Sequence, residues 1–287
     1  MNIAEFSPDL SRDAVFRPCS REPFEFLEKV RSENLCMENS RVQFWWAANL
    51  CHLSYCHENK IKETLSTLGE DLKIFRARTQ MAYSIIIDGY TFLVFQGSCS
   101  PEDTVLDLNF FPKKEESFSM HRGFHKAFTY LWPEIELFLK GADKNKLIIT
   151  GHSLGGAIGY ICSGKTEYYK LITFGAPRVH FGTSGIEADN DRHLRFVNCS
   201  DAVPTLPPAI FGFRHTGKMI FIDSEQGIHQ NTGSKFILSK LTSSSSFLLK
   251  GKAFTKGNAP LKSLADHAPV NYSRALSRHL LLKELEN

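Results

Sequence analysis

The chain has 287 residues, 42% of them apolar and 23% charged, the balance of a globular protein able to bury a full core in one large domain spanning 1–287. A formal net charge of +3 is too small to argue for a nucleic-acid partner. No run of about 18 apolar residues marks a transmembrane segment.

In chain order, residues 1–9 lack the basic and apolar regions of a secretory leader, so a cytoplasmic location is expected, with non-classical export left open. The seven cysteines are odd in number and form no C-x-x-C pair, so free thiols are expected rather than a disulfide framework. Helices are predicted over 22–35 and 40–57, the second apolar over a wide face through Phe44, Trp45, Leu50 and Leu53. A third at 61–68 ends at Gly69. Strands follow at 72–78, 81–87 and 90–95, with Asp88-Gly89 joining the last two as a hairpin turn.

Residues 99–119 are polar and irregular, and a helix is predicted at 123–140, where Pro133 is expected to kink or delay it. An apolar strand at 146–150, a helix after Ser153 and a strand at 170–174 make a β-α-β unit with parallel strands. Further strands are predicted at 194–198 and 219–222. An antiparallel hairpin leading into parallel units predicts an α/β fold of the α/β-hydrolase type: a mostly parallel mixed sheet with helices on both faces.

The chemistry centres on Gly151-His152-Ser153-Leu154-Gly155, a G-x-S-x-G directly after the strand at 146–150. That order describes a strand, a sharp turn and a helix start with Ser153 at the apex. A plain Gly-rich β-to-α turn is the alternative reading. A serine needs a histidine base and an orienting carboxylate, in the chain order Ser, Asp or Glu, His. Asp201 is the best carboxylate, since it follows the strand at 194–198 at the end where parallel-sheet sites lie. Asp189, Asp191 and Asp223 sit in polar loops, and a turn-forming surface role competes for Asp201 itself. His215, His229, His267 and His279 remain open as the base, with His279 expected on an exposed late helix. No cluster of His, Cys and carboxylates has metal-ligand spacing, and no cofactor is expected.

The ordered motifs carry a resemblance. They are Leu-Val-Phe-Gln-Gly-Ser at 93–98, His-Arg-Gly-Phe at 121–124, Gly-His-Ser-Leu-Gly-Gly at 151–156 and Thr-Phe-Gly-Ala-Pro-Arg-Val at 173–179. Asn-Cys-Ser-Asp-Ala-Val-Pro at 198–204, Leu-Pro-Pro at 206–208, His-Thr-Gly at 215–217 and Asp-His at 266–267 complete the series. As a set they resemble the class 3 (fungal-type triacylglycerol) lipases of the α/β-hydrolase superfamily. The resemblance implies a catalytic triad of Ser153, Asp201 and His267, and makes His215 structural. It also implies an oxyanion hole from Leu154, which the elbow geometry gives independently, and Ser98. Gln96 stands where the family usually has arginine, so a charged anchor for the Gln-Gly-Ser turn is missing.

By the same resemblance, residues 99–111 occupy the place of a movable amphipathic lid, with Asp107 at an acidic position that helps hold it; a fixed core loop is the alternative. Residues 226–265 carry no acid but hold lysines interleaved with Phe and Leu, a mix that resembles a surface docking on anionic lipid. A solvated excursion explains the same composition. The functional expectation is a serine hydrolase of lipid carboxylic esters, acylglycerol or phospholipid, acting through an acyl-enzyme. The alternatives are a non-catalytic binding module and an acyltransferase using the same triad.

Overall fold

The computed structural model describes residues 3–98, 122–182, 191–230 and 261–282. The lid-like segment, Asp107, Asp189, Cys99 and most of the Lys-rich stretch lie outside them.

The strands are β1 (Glu70–Ala77), β2 (Gln80–Ile87), β3 (Tyr90–Phe95), β4 (Leu147–His152), β5 (Lys170–Phe174), β6 (His180–Phe181), β7 (His193–Asn198), β8 (Phe213–Arg214), β9 (Lys218–Ile222) and β10 (Ile228–Gln230). Described helices are α1 (Arg12–Phe16), α2 (Leu27–Ser32), α3 (Ser40–Leu53), α4 (Glu58–Leu65), α5 (Arg122–Gly141), α6 (Leu154–Ser163), α7 (Leu261–His267) and α8 (Pro269–Leu281). Eight strands form one sheet in the order β1-β2-β3-β4-β5-β7-β9-β10, and β6 pairs with β8 apart from it. β1 to β3 run antiparallel, β3, β4, β5, β7 and β9 run parallel, and β10 returns antiparallel on β9. This is the mostly parallel mixed sheet of an α/β-hydrolase.

Period-2 alternation sends successive strand residues to opposite faces, and both faces are covered. Phe92, Val94, Ile148 and Ile172 pack with α3 and α8, while Leu93, Phe95, Ile149 and Leu171 pack with α5 and α6. In α3 nearly every residue is buried, because Trp45 and its neighbours meet the sheet on one side and α8 on the other. Trp45 is fully buried, and its indole N–H donates to Ser277 Oγ at 2.9 Å. Asp88 and Gly89 both take positive φ (47° and 77°), the conformation that a two-residue hairpin turn demands.

Several expectations are corrected. Cys19 and Cys56 form a disulfide: the fold brings positions 37 apart in sequence to a Cα separation of 5.0 Å, a proximity that parity and spacing cannot show. Cys36, Cys51 and Cys162 keep their thiols, and the Cys199 thiol donates to Asp266 Oδ2 at 3.4 Å. The helix expected over 22–35 shrinks to α2, because Phe24 takes φ 64° and gives its N–H to the Asn49 side chain at 2.9 Å. Pro133 neither delays nor ends α5, which is already formed at Arg122 and continues to Gly141. The proline removes one N–H from the ladder, and burial of Phe128, Leu131, Ile135 and Leu139 outweighs that loss. His279 does lie on a late helix, α8, but that helix is largely buried and His279 is half-buried.

Two buried histidines make stability depend on pH. Burial pulls His52 down to about 4, and burial beside the Arg195 cation pulls His193 down to about 3. Below about pH 6.5 the unfolded chain binds protons that these native imidazoles refuse, so stability falls as the pH drops toward 4. Each contributes on the order of 1 kcal/mol per pH unit across that window. Urea unfolding at pH 7 and pH 4.5 is expected to show this loss, and a smaller loss for His193→Gln; an equal loss in the variant contradicts the assignment.

Candidate active site

Ser153 sits between the end of β4 and the start of α6, in the middle of the sheet, with φ 56° and ψ −127°. Such strain in a non-glycine residue persists only where the surroundings fix it. Here the Ser153 N–H donates to the Phe174 carbonyl at 2.9 Å, and the Ser153 carbonyl accepts from Gly156 N at 3.0 Å. Glycine is required on both sides for lack of space. A Cβ on Gly151 would collide with the backbone of Gly155 and Gly156, and one on Gly155 with the Phe95 carbonyl. The motif is therefore an elbow and not a generic Gly-rich turn.

The structure brings Ser153, His267 and Asp201 together. His267, the last residue of α7, places Nε2 2.9 Å from Ser153 Oγ and Nδ1 2.9 Å from Asp201 Oδ2 and 3.0 Å from Oδ1. With its Nδ1–H given to Asp201, the imidazole turns the Nε2 lone pair toward the serine hydroxyl. Asp201 follows β7, as its strand-end position predicts, but it is fully buried and not a surface turn-former. Its Oδ1 accepts from Val203 N at 2.9 Å and its Oδ2 from Tyr272 Oη–H at 2.6 Å. Gly175, at φ 57°, lies against this pair: a Cβ there would stand 2.6 Å from Asp201 Oδ2 and 3.0 Å from His267 Nδ1.

The other candidates are placed elsewhere. His215 Nε2 is 2.6 Å from the Pro204 carbonyl, and burial, with Arg195 nearby, holds its pKa well below the usual histidine range. His229 pairs with Asp223 at 2.6 Å, and Asp223 also caps its own turn through the Glu225 and Gly227 amides. Asp191 lies just before β7, at the opposite end of that strand from Asp201. Among the described residues no group of three or more His, Cys, Asp and Glu side chains converges as a metal site would.

Leu154 begins α6, so its amide is one of the unpaired N–H groups at a helix N-terminus. Ser98 lines the same cleft as Ser153 and His267. The Gln96 side chain donates to the Ser54 carbonyl just past α3, so a neutral amide anchors the turn where a charge is missing.

Four supporting residues escaped sequence reasoning. Tyr272, on α8, bridges the site by donating to Asp201 and accepting from Asn198 N at 3.1 Å. Burial, reinforced by the Asp201 charge, raises its pKa well above 10, so the phenol keeps its proton. His152, the first variable residue of the elbow, gives Nε2–H to the His267 carbonyl at 2.7 Å and accepts from Tyr55 Oη–H at its Nδ1 at 2.6 Å. Burial, then the neighbouring His267, hold its pKa well below 6.5, which matches a neutral ring with one donor and one acceptor. Asn198 and Asp266 tie the two loops: Asn198 Nδ2 donates to the Asp266 carbonyl at 3.1 Å, and Asp266 Oδ2 accepts from Ser200 N at 3.0 Å. His152, Asn198 and Asp266 stand inside the motifs that carry the resemblance, whereas nothing adjacent in sequence marks Tyr272.

The family model described as Lipase (class 3) matches residues 92–211, which include Ser98, Ser153, Leu154 and Asp201. A lipase of Rhizomucor miehei is 31% identical over 196 residues, covering 60% of this chain and 50% of that protein. Over these residues the chain is similar to the class 3 lipases. The secreted mono- and diacylglycerol lipase 1 of Fusarium solani is another such relative, 29% identical over 142 residues, covering 45% of this chain and 42% of that protein. The chain thus spans half or less of these relatives' own length. A solved structure of Rhizomucor miehei lipase in its propeptide complex superposes with a TM-score of 0.50 at 26% identity, covering 66% of this chain and 69% of that one. His267 lies beyond the residues that the class 3 lipase model matches, so its place rests on the hydrogen bonds above.

The elbow's close packing is directly testable. Gly155→Ala is expected to lower the unfolding free energy in urea by more than about 3 kcal/mol. Gly141→Ala, whose Cβ meets nothing within 4 Å, is the control and is expected to stay within about 1 kcal/mol of the parent. Equal stability of the two variants contradicts the packing argument.

Proposed function

We propose that this chain is a carboxylic ester hydrolase acting on acylglycerols through an acyl-enzyme. The observation that carries the reading is the 2.9 Å contact between His267 Nε2 and Ser153 Oγ, with Asp201 behind the imidazole. In this mechanism His267 takes the Ser153 proton as Oγ attacks the ester carbonyl. The resulting oxyanion is held by the N–H groups of Leu154 and Ser98, each worth about 3–4 kcal/mol of transition-state stabilisation. His267 then protonates the leaving alcohol, and water repeats the sequence to release the acid. Asp201 holds the imidazole in one tautomer, and Tyr272 and Val203 hold Asp201.

The cleft favours an apolar chain over a charged substrate. Val15, Pro18, Leu264, Ala268 and Pro269 form much of its lining beside Ser153. The named relatives are lipases and mono- and diacylglycerol lipases, which supports an acylglycerol over a phospholipid. Docking of the Lys-rich 226–265 stretch on anionic lipid belongs to the same proposal. Acyl transfer would use the same groups and differ only in the acceptor of the acyl chain.

A fluorophosphonate probe is expected to label the wild-type protein and not Ser153→Ala. The same variant is expected to lose roughly 10⁴-fold or more in turnover of a short-chain acylglycerol. Equal labelling of both proteins, or of neither, contradicts the proposal.

A further inference from the structure

The wall of the cleft nearest the N-terminus comes from outside every motif that marks the site. Val15 on α1 and Pro18 just after it line the cleft with Ser153 and His267. The segment is tied at three levels. Asp9 and Asn271 exchange backbone and side-chain hydrogen bonds, Asp9 N to Asn271 Oδ1 at 2.6 Å and Asn271 Nδ2 to the Asp9 carbonyl at 3.0 Å. Ala14 packs in a small buried cluster with Ala268 and Val270, within three residues of His267 in the chain. Finally, Cys19 is bonded to Cys56, and the neighbouring Pro18 carbonyl accepts from His52 Nε2 at 2.9 Å.

These ties join the segment to both sides of the site. One side is the α7–α8 junction that carries His267. The other is the end of α3, where Tyr55, next to Cys56, is hydrogen-bonded to His152 and itself lines the cleft. Val15 and Pro18 lie between the apolar anchor at Ala14 and the covalent anchor at Cys19. The hydrogen bonds and the small cluster are weak and individually replaceable; the disulfide is the single covalent restraint and the only one that a chemical reagent can remove selectively.

We infer that the segment from Val15 to Cys19 is a specificity-setting wall of the ester-binding cleft, and that the Cys19–Cys56 bond fixes its distance from Ser153. Val15 and Pro18 thereby limit the acyl chain that reaches the serine, and opening the bond relaxes that limit. Reduction is balanced by a dithiol: two electrons and two protons pass to Cys19 and Cys56, which become thiols, and the reagent closes to its own disulfide. This inference rests on the ester-hydrolase reading of Ser153.

The test compares kcat/KM on p-nitrophenyl butyrate and p-nitrophenyl decanoate, using the ratio of the two so that a general loss of activity cancels. Fluorophosphonate labelling of Ser153 is followed in parallel. Val15→Phe is expected to lower the decanoate-to-butyrate ratio by about 10-fold or more, and Val15→Ala to raise it several-fold, the scale of a methylene or two in an apolar pocket. Dithiothreitol is expected to raise the wild-type ratio by several-fold, Cys19→Ser to show the raised ratio without reductant, and Cys19→Ser to be indifferent to the reagent. Ratios within two-fold of wild type in both Val15 variants, with Ser153 still labelled, overturn the wall while leaving the hydrolase reading intact. An equal response of wild type and Cys19→Ser to dithiothreitol overturns the role of the bond. Absence of labelling and of ester turnover in the wild type overturns the hydrolase reading and this inference with it.

Discussion

Everything at this site depends on a steric constraint: β4 and α6 meet so closely that neither Gly151 nor Gly155 has room for a Cβ. That approach forces Ser153 into φ 56°, and the strain is held by its N–H on the Phe174 carbonyl and by the helix that its own carbonyl starts. The same geometry lifts the hydroxyl to the C-terminal end of central strand β4 and leaves the Leu154 amide at a helix N-terminus beside it. A looser turn would satisfy the backbone more cheaply and would present neither group.

The constraint orients one residue; a buried polar network orients the others. Asp201 is held by Val203 and Tyr272, the Asn198 backbone and side chain lock Tyr272 and Asp266 together, and His152 grips the His267 carbonyl. Each of these groups is buried, so each missing partner would leave a desolvated polar atom, at a cost of about 1–3 kcal/mol. The network is therefore a unit, and it requires His152 neutral and Tyr272 protonated, the states that burial favours in both. Gly175 completes it by omission, since any side chain there would occupy the space of the Asp201–His267 pair.

The legible parts of the fold were those with local periodicity. The strands at 90–95 and 170–174 match β3 and β5 residue for residue, and the Asp88-Gly89 turn was marked by composition alone. β6, β8 and β10 were missed because two or three residues carry no period. The helix at 22–35 was overdrawn because a tertiary bond from Phe24 to Asn49 overrides propensity. Within the site, Ser153 was readable from its neighbours and Asp201 from its strand end, whereas His267 needed the resemblance to stand out from three other histidines. Tyr272, Tyr55 and the Cys19–Cys56 bond are consequences of packing between distant segments, and nothing adjacent in sequence announces them.

The central claim, that the elbow presents Ser153 and an oxyanion hole together, is tested most directly by a crystal structure of the phosphonylated protein. The account predicts phosphorus bonded to Ser153 Oγ, with the phosphoryl oxygen about 2.7–3.1 Å from both the Leu154 and Ser98 amides. A phosphoryl oxygen turned away from both amides, or an adduct on any other residue, would contradict it.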